Sequence, residues 1–356
     1  VIVLDPCYDS YVPNIELAGG KAVRVPLTPG TFRPDFAKIS AAITPRTRAI
    51  IINSPHNPSA TIWTAEECAS SKSLLAPTDI LLISDEVYEH MVFDGAEHQS
   101  AARFAGLAAR AFIVSSFGKT FHVTGWKVGT VAAPAALTAE FRKVHQFNVF
   151  TVNTPMQHGL AAYLQDPAPY LQLPAFYQAK RDLFRQGLEG SRLKLLPSTG
   201  SYFQCVDISA VSDLNESDFC QWLTREIGVA AIPLSAFYGD GFDQRVVRFC
   251  FAKKDETRPL GEEFVKNAPL TEVRALLASQ GLPTDYIDVP YTPFLVVAGG
   301  RKILIDTGLG EFGGPTTGKL LDSLRAAGMQ AADIDTVLIS HFHGDHINGL
   351  RNKAGE

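Results

Sequence analysis

Residues 115–129 read SSFGKTFHVTGWKVG and directly follow the apolar run AFIV (111–114). A short β-rich run that breaks into a polar, glycine-containing segment marks the carboxyl end of a buried strand, the edge at which parallel α/β sheets hold ligands. Ser116, Lys119 and Lys127 therefore fall at a strand-to-loop edge, spaced Ser-x-x-Lys with a second cation eight residues on. A lysine that attacks a carbonyl needs a neutral amine, and a hydroxyl and a cation beside it suit an anionic group of a cofactor. The GKT triplet is not a P-loop, because the glycine required five residues before Gly118 is Ile113.

Working upstream, ILLIS (80–84) runs into DEVY and places Asp85 and Tyr88 at a second strand end. RAIIIN (48–53) runs into SPHNPSA and places Asn57 at a third, and LDPCYDSY (4–11) places Tyr8 at a fourth. Taken singly, Asn57 is a turn residue before Pro58, Asp85 a helix cap, and the two tyrosines core aromatics. Taken in order, four strand ends that each carry a polar or aromatic group are better explained by one shared site.

These runs, with VGTVAA (128–133), alternate with the helical patterns TAEECASSKSLL (64–75) and TAEFRKVHQF (138–147). The alternation predicts an α/β fold with a mostly parallel sheet and flanking helices. Helical periodicity from about 134 to 188, then the strands LKLLPS, SYFQCVDIS and VVRFCFA around the helix ESDFCQWLTREIG, predicts an α+β lobe beside it. A polar, proline-punctuated stretch (252–273) marks a junction near Thr257. Beyond it, TPFLVVA and KILIDTG read as a hairpin, GKLLDSLRAAG as a helix, and DTVLIS as a strand running into HFHGDH. The expected domains are 1–160, 161–257, a linker or fusion junction over 258–269, and 270–356.

Composition narrows the partners. The 356 residues are 46% hydrophobic and 19% charged, which suits a folded chain. Thirty-two Lys and Arg against 37 Asp and Glu leave a net charge of −5 with no basic block, which argues against a nucleic-acid partner. No apolar run reaches the ~18 residues of a membrane helix and no signal-peptide core is visible, so a cytoplasmic protein without a membrane partner is expected. The five cysteines, without a C-x-x-C pair, read as reduced buried thiols. The chain opens at Val1 and its first methionine is Met91, the expectation being a piece of a longer coding sequence.

The ordered set PCY, HNPSA, DEVY, SFGKT, TGWKVG and RFCFA resembles the class I aminotransferases of pyridoxal 5′-phosphate (PLP) fold type I, in the methionine/kynurenine aminotransferase-like branch, over residues 1–257. The resemblance implies a PLP-binding large domain over 1–160, an α+β small domain over 161–257, and a homodimer with the active site across its interface. It implies PLP as cofactor and an L-amino acid and a 2-oxo acid as substrates. Lys119 would form the Schiff base and carry the proton. Asp85 would face the pyridinium nitrogen, Tyr88 and Asn57 the ring 3′-oxygen, and Tyr8 the ring face. Ser116 and Lys127 would hold the phosphate, and Arg248, on VVRFCFA, the substrate α-carboxylate. Lys127 stands where many relatives have Arg, which keeps the charge and loses the bidentate fork. The resemblance begins part-way into the family's fold, so impaired transamination is expected.

HFHGDH has the spacing of metal ligands, His341, His343, Asp345 and His346. With LIDTG (304–308) it resembles the N-terminal half of the metallo-β-lactamase-fold hydrolases, including lactonase-type members, over residues 270–356. That implies a partial αββα unit and zinc at an incomplete site, His341 and His343 on one metal, Asp345 and His346 on a second. GGPTTGKL (313–320) falls short of a P-loop because Leu320 replaces the Ser or Thr. Two alternatives to transamination follow: a metal-dependent hydrolase acting through HFHGDH, and an inactive chimera of two gene fragments.

Overall fold

Runs such as IVLD and AIIIN have no polar alternation, the pattern of strands covered on both faces. In the computed structural model, which describes residues 1–253, 258–259, 271–272, 274–275, 286–287, 293–298, 300–312, 318–339 and 348–350, such runs form the centre of a sheet. The chain divides into two compact units, Val1–Ala252 and Lys253–Glu356.

In the first unit, β1 (Ile2–Asp5), β2 (Val23–Pro26), β3 (Ala49–Asn53), β4 (Leu81–Asp85), β5 (Ala111–Ser116) and β6 (Gly129–Ala132) form a six-stranded sheet in the order β2-β1-β3-β4-β5-β6. β1 through β5 run parallel and β6 antiparallel. Winding reverses between β1 and β3, so a crevice opens beyond the carboxyl ends of the strands there. Crossing helices include α1 (Tyr11–Leu17), α2 (Phe36–Ala42) and α3 (Ala65–Leu75). Thr64 starts α3 through a capping box with Glu67, which fixes where that helix begins. Ile2, Leu82, Leu75 and Leu107 lie in the core against the sheet.

The antiparallel sheet of the second lobe has β7 (Lys194–Leu195), β8 (Phe203–Asp207), β9 (Ile232–Pro233) and β10 (Val246–Cys250) in the order β7-β8-β10-β9. Glu216, fully buried, accepts from the backbone N–H groups of Gln244 at 2.8 Å and Val246 at 2.9 Å, and so anchors the helix Glu216–Trp222 to β10. The expected helix 216–228 ends in a π turn over Leu223–Ile227 that Gly228 closes in the left-handed conformation. All five cysteines are unpaired. Burial pushes the Cys7, Cys68 and Cys205 thiols up to about 12, so they remain protonated.

In the second unit, Arg258–Pro259 and Tyr286–Ile287 form a two-stranded antiparallel pair. The hairpin Phe294–Ala298 with Arg301–Ile305 is present, and Thr336–Leu338 pairs parallel to its second strand. The helix Leu320–Ala326 buries Leu324. The proposed ligands His341, His343, Asp345 and His346 lie outside the described residues. Among the described residues no helix is long and apolar enough to cross a membrane.

Gly129 opens β6 opposite Ser116, and a Cβ there would lie 2.5 Å from the Ser115 carbonyl oxygen. Gly129→Ala must separate β5 from β6. A loss of about 1–3 kcal/mol is expected, the usual cost of overpacking, read as a lower urea midpoint with unchanged slope.

Candidate active site

The ends of β1, β3, β4 and β5 surround a cavity of about 390 Å³ lined by Tyr8, Asn57, Asp85, Tyr88, Ser116, Lys119 and Lys127. All seven cofactor-site residues expected from sequence thus meet in one place, and Asn53, Thr124 and Gly118 join them.

Asp85 closes β4 in register with Asn53 on β3 and Val114 on β5. Its Oδ2 accepts the Tyr11 hydroxyl from the first turn of α1, and its Oδ1 faces the Val87 N–H at 3.3 Å. Burial holds its carboxyl above the usual carboxylate range, against the downward pull of Tyr11, Val87 and the charge of Lys119. Asn53 ties the neighbours together, donating from Nδ2 to the Asp85 carbonyl at 2.8 Å and accepting the Asn57 N–H at 2.7 Å.

Lys119 sits on the single helical turn Phe117–Thr120 that follows β5. A Cβ on Gly118 would come within 2.8 Å of the Thr124 Cα, so only glycine lets this turn pack against the turn Thr124–Trp126. Lys127 ends that second turn in the left-handed conformation, φ 55°. The Lys119 Nζ stands 3.5 Å from the Tyr202 hydroxyl and 5.7 Å from the Tyr88 ring centroid. Burial, then the nearby Tyr202, raises the pKa of Tyr88.

Arg248 on β10 is not among the residues that line the cavity. It donates from Nη1 to the Asn57 Oδ1 and lies 4.0 Å from the Phe203 ring centroid and 4.8 Å from that of Phe237. Its Nε has no hydrogen-bond partner and burial lowers its pKa. Among the described residues no carboxylate pairs with it. Sequence reasoning missed Tyr11, Asn53 and Tyr202. The first two carried a signal, Tyr11 standing three residues after Tyr8 and Asn53 four before Asn57.

Among the described residues, Glu86, Glu89 and His98 bring ligand atoms within 4.8 Å of one another. Those groups are already engaged: Glu86 with Ser84, His98 and the Ala101 N–H, and Glu89 with Ser115.

A lysine and a half-buried carboxylate at the crevice of a doubly wound sheet, with the buried Arg248 guanidinium reaching Asn57 on its lining, are the arrangement of a lysine-centred enzyme acting on anionic substrates. The family model for aminotransferase class I and II matches residues 1–259. The chain is 52% identical to the methionine aminotransferase of Escherichia coli K12 over 258 residues, 72% of this chain and 67% of that relative. It is 38% identical over 269 residues to a probable N-succinyldiaminopimelate aminotransferase of Mycobacterium tuberculosis, covering 72% of this chain and 68% of the relative. The crystal structure identified with a methionine aminotransferase function in E. coli superposes with a TM-score of 0.70 over 71% of this chain and 68% of that one. The chain belongs to the class I and II aminotransferases and is a PLP-dependent enzyme of transamination. A metallo-beta-lactamase superfamily model is similar to residues 287–352.

The raised Asp85 carboxyl gives a pH signature without cofactor. A group whose folded pKa exceeds its unfolded value favours the folded state while protonated, and that contribution is lost as pH rises from about 3.9 through the folded value. Asp85→Asn removes the loss. The variant without cofactor should match the parent in stability at acid pH and exceed it at neutral pH, measured by urea titration across the range.

Proposed function

We propose that the cavity holds PLP through the residues that line it. The donor set fits. Asp85 is a desolvated carboxylate that a cationic ring nitrogen would complement, and Ser116, Thr124 and Lys127 offer hydroxyls and a cation to a phosphate. Tyr8, 41% exposed, offers a ring face, and the Tyr88 hydroxyl and the Asn57 amide would receive the ring 3′-oxygen. Bound there, PLP supplies an electron sink for the bonds at the substrate Cα. Lys119 would hold the cofactor through its Nζ and, once the substrate amine has displaced it there, would carry the proton at the substrate Cα with the freed amine. Arg248 grips the substrate α-carboxylate, which would fill the unpaired side of its buried guanidinium.

The single observation that carries this reading is the convergence of Asp85 and Lys119 on one crevice, with the charge of Lys119 drawing on Asp85. The similarity to methionine and kynurenine transaminases supports an L-amino acid with an apolar or aromatic side chain as donor and a 2-oxo acid as acceptor. A homodimer is part of the proposal. The face of the helix Ala135–Asn148, which buries no residue, leaves Phe147 at 87% and Phe150, just beyond it, at 78% exposure, an apolar surface that a second copy would cover. A large and a small domain, 1–160 and 161–257, and a 258–269 junction remain the proposed organisation. The unpaired cysteines support a reducing, cytoplasmic compartment. Zinc at His341, His343, Asp345 and His346 rests on the short match at 287–352 and is tested by metal analysis after dialysis.

Borohydride reduction in the presence of PLP, followed by peptide mapping, should place the label on Lys119. Label spread over surface lysines with Lys119 unmodified refutes the assignment.

Truncating a carboxylate clamp leaves substrate charge unpaired. Arg248→Ala should lower kcat/KM by roughly 2–5 kcal/mol while the PLP label on Lys119 survives. Equal loss of both would mark a structural arginine.

A further inference from the structure

We infer that Tyr202 is a positioning residue for Lys119, its hydroxyl holding the lysine Nζ and the Tyr88 hydroxyl in one arrangement. The inference rests on the reading of Lys119 as the lysine that captures the cofactor.

Tyr202 belongs to the turn before β8, on the lobe opposite Lys119. Its oxygen accepts from Lys119 Nζ at 3.5 Å and from the Tyr88 hydroxyl at 3.4 Å. Both contacts are long, as catalytic hydrogen bonds are before a ligand tightens them. The two lone pairs of one phenol oxygen thereby face the two groups proposed to handle the cofactor ring and the reacting amine.

The ring itself is fixed. It lies edge-on to Tyr88 at 5.2 Å and 88°, tilted against Tyr177 at 5.8 Å, and packs on Phe203 at 4.7 Å. Its backbone is fixed as well. The Tyr202 carbonyl accepts the Phe251 N–H at 3.1 Å, and the Ser201 N–H donates to the Met91 carbonyl at 2.8 Å. A Cβ on Gly200 would lie 2.7 Å from the Pro55 Cβ and 2.9 Å from the Met91 carbonyl oxygen, so the turn is pressed against the first lobe with no room to drift.

Lysine carries its amine on a flexible four-carbon stem, and order at Nζ must come from outside the residue. Asp85 and Lys119 act on each other through charge, whereas among the described residues the Lys119 Nζ donates a hydrogen bond to Tyr202 alone. Tyr202 supplies the directional contact that a charge alone does not.

The test separates capture from pocket binding. Pyridoxamine 5′-phosphate presents the same ring and phosphate yet lacks the aldehyde that lysine attacks, so its affinity reads the pocket without Lys119 chemistry. Tyr202→Phe keeps the ring and loses only the hydroxyl. In the full chain it should leave pyridoxamine 5′-phosphate affinity within about twofold and slow the trapping of PLP on Lys119 by about ten- to a hundredfold, the scale of a misplaced reacting group. In a double-mutant cycle with Tyr88→Phe, the two losses should be non-additive, since both act through one oxygen. An unchanged trapping rate overturns the inference, as does a parallel loss of trapping and affinity, which would make Tyr202 a packing residue. Label absent from Lys119 in the parent chain overturns the underlying reading and this one with it, a result distinct from a defect confined to the variant.

Discussion

Asp85 ends a central parallel strand, where its carboxylate loses hydration that only local partners can replace. The surroundings of β4 are arranged around that need. Register with β3 brings Asn53 alongside, and the asparagine holds the Asp85 backbone rather than its carboxylate, leaving the side-chain oxygens turned to the crevice. α1 then brings Tyr11 to one oxygen. These contacts do not fully offset burial, since the carboxyl stays above its ordinary range. A fold selected for stability alone would place an apolar residue here, and a desolvated acid at a crevice is a group that a ligand of opposite charge would complement.

The second lobe completes what the first leaves open. Arg248 crosses to Asn57, Tyr202 crosses to Lys119 and Tyr88, and the N–H groups of Thr199 and Gly200 reach the Ala60 carbonyl at 2.8 and 3.0 Å. Arg181 and Asp94 add a bidentate ion pair at 2.7 Å. Several of these contacts end on residues that also line the cavity. The crevice geometry and the seating of one lobe on the other are therefore the same set of distances, and substitutions in the Gly200 turn should be felt at Lys119.

The parts legible in sequence were those encoded locally. A strand end and the loop that follows it share one short stretch, so Ser116, Lys119, Asp85 and Asn57 could be read from adjacent residues. Partnerships made by the fold could not. Tyr11 is 74 residues from Asp85, Tyr202 is 83 from Lys119, and Arg248 is 191 from Asn57. Arg248 is legible only through family resemblance, and Tyr202 lies inside SYFQCVDIS, where an aromatic reads as strand packing. Direction was also hidden: VGTVAA has the composition of a parallel neighbour, yet β6 runs antiparallel, because hydrophobic period carries no information about chain sense. β2, with three of its four residues exposed, lacks the apolar run that identifies its neighbours.

The unfinished charges specify the ligand. Asp85 is a half-buried carboxyl that feels the charge of Lys119, and Arg248 is a buried cation with no carboxylate beside it among the described residues. A ligand that brings a cationic ring nitrogen to the first and a substrate that brings an anion to the second each relieve a desolvation cost already present in the folded chain. Such binding stabilises the native state by mass action, by about 2.7 kcal/mol at a hundred times the dissociation constant. Specificity follows from the same cause: a ligand lacking either charge leaves a buried group unpaired, so discrimination comes from the penalty on wrong ligands as much as from contacts with the right one.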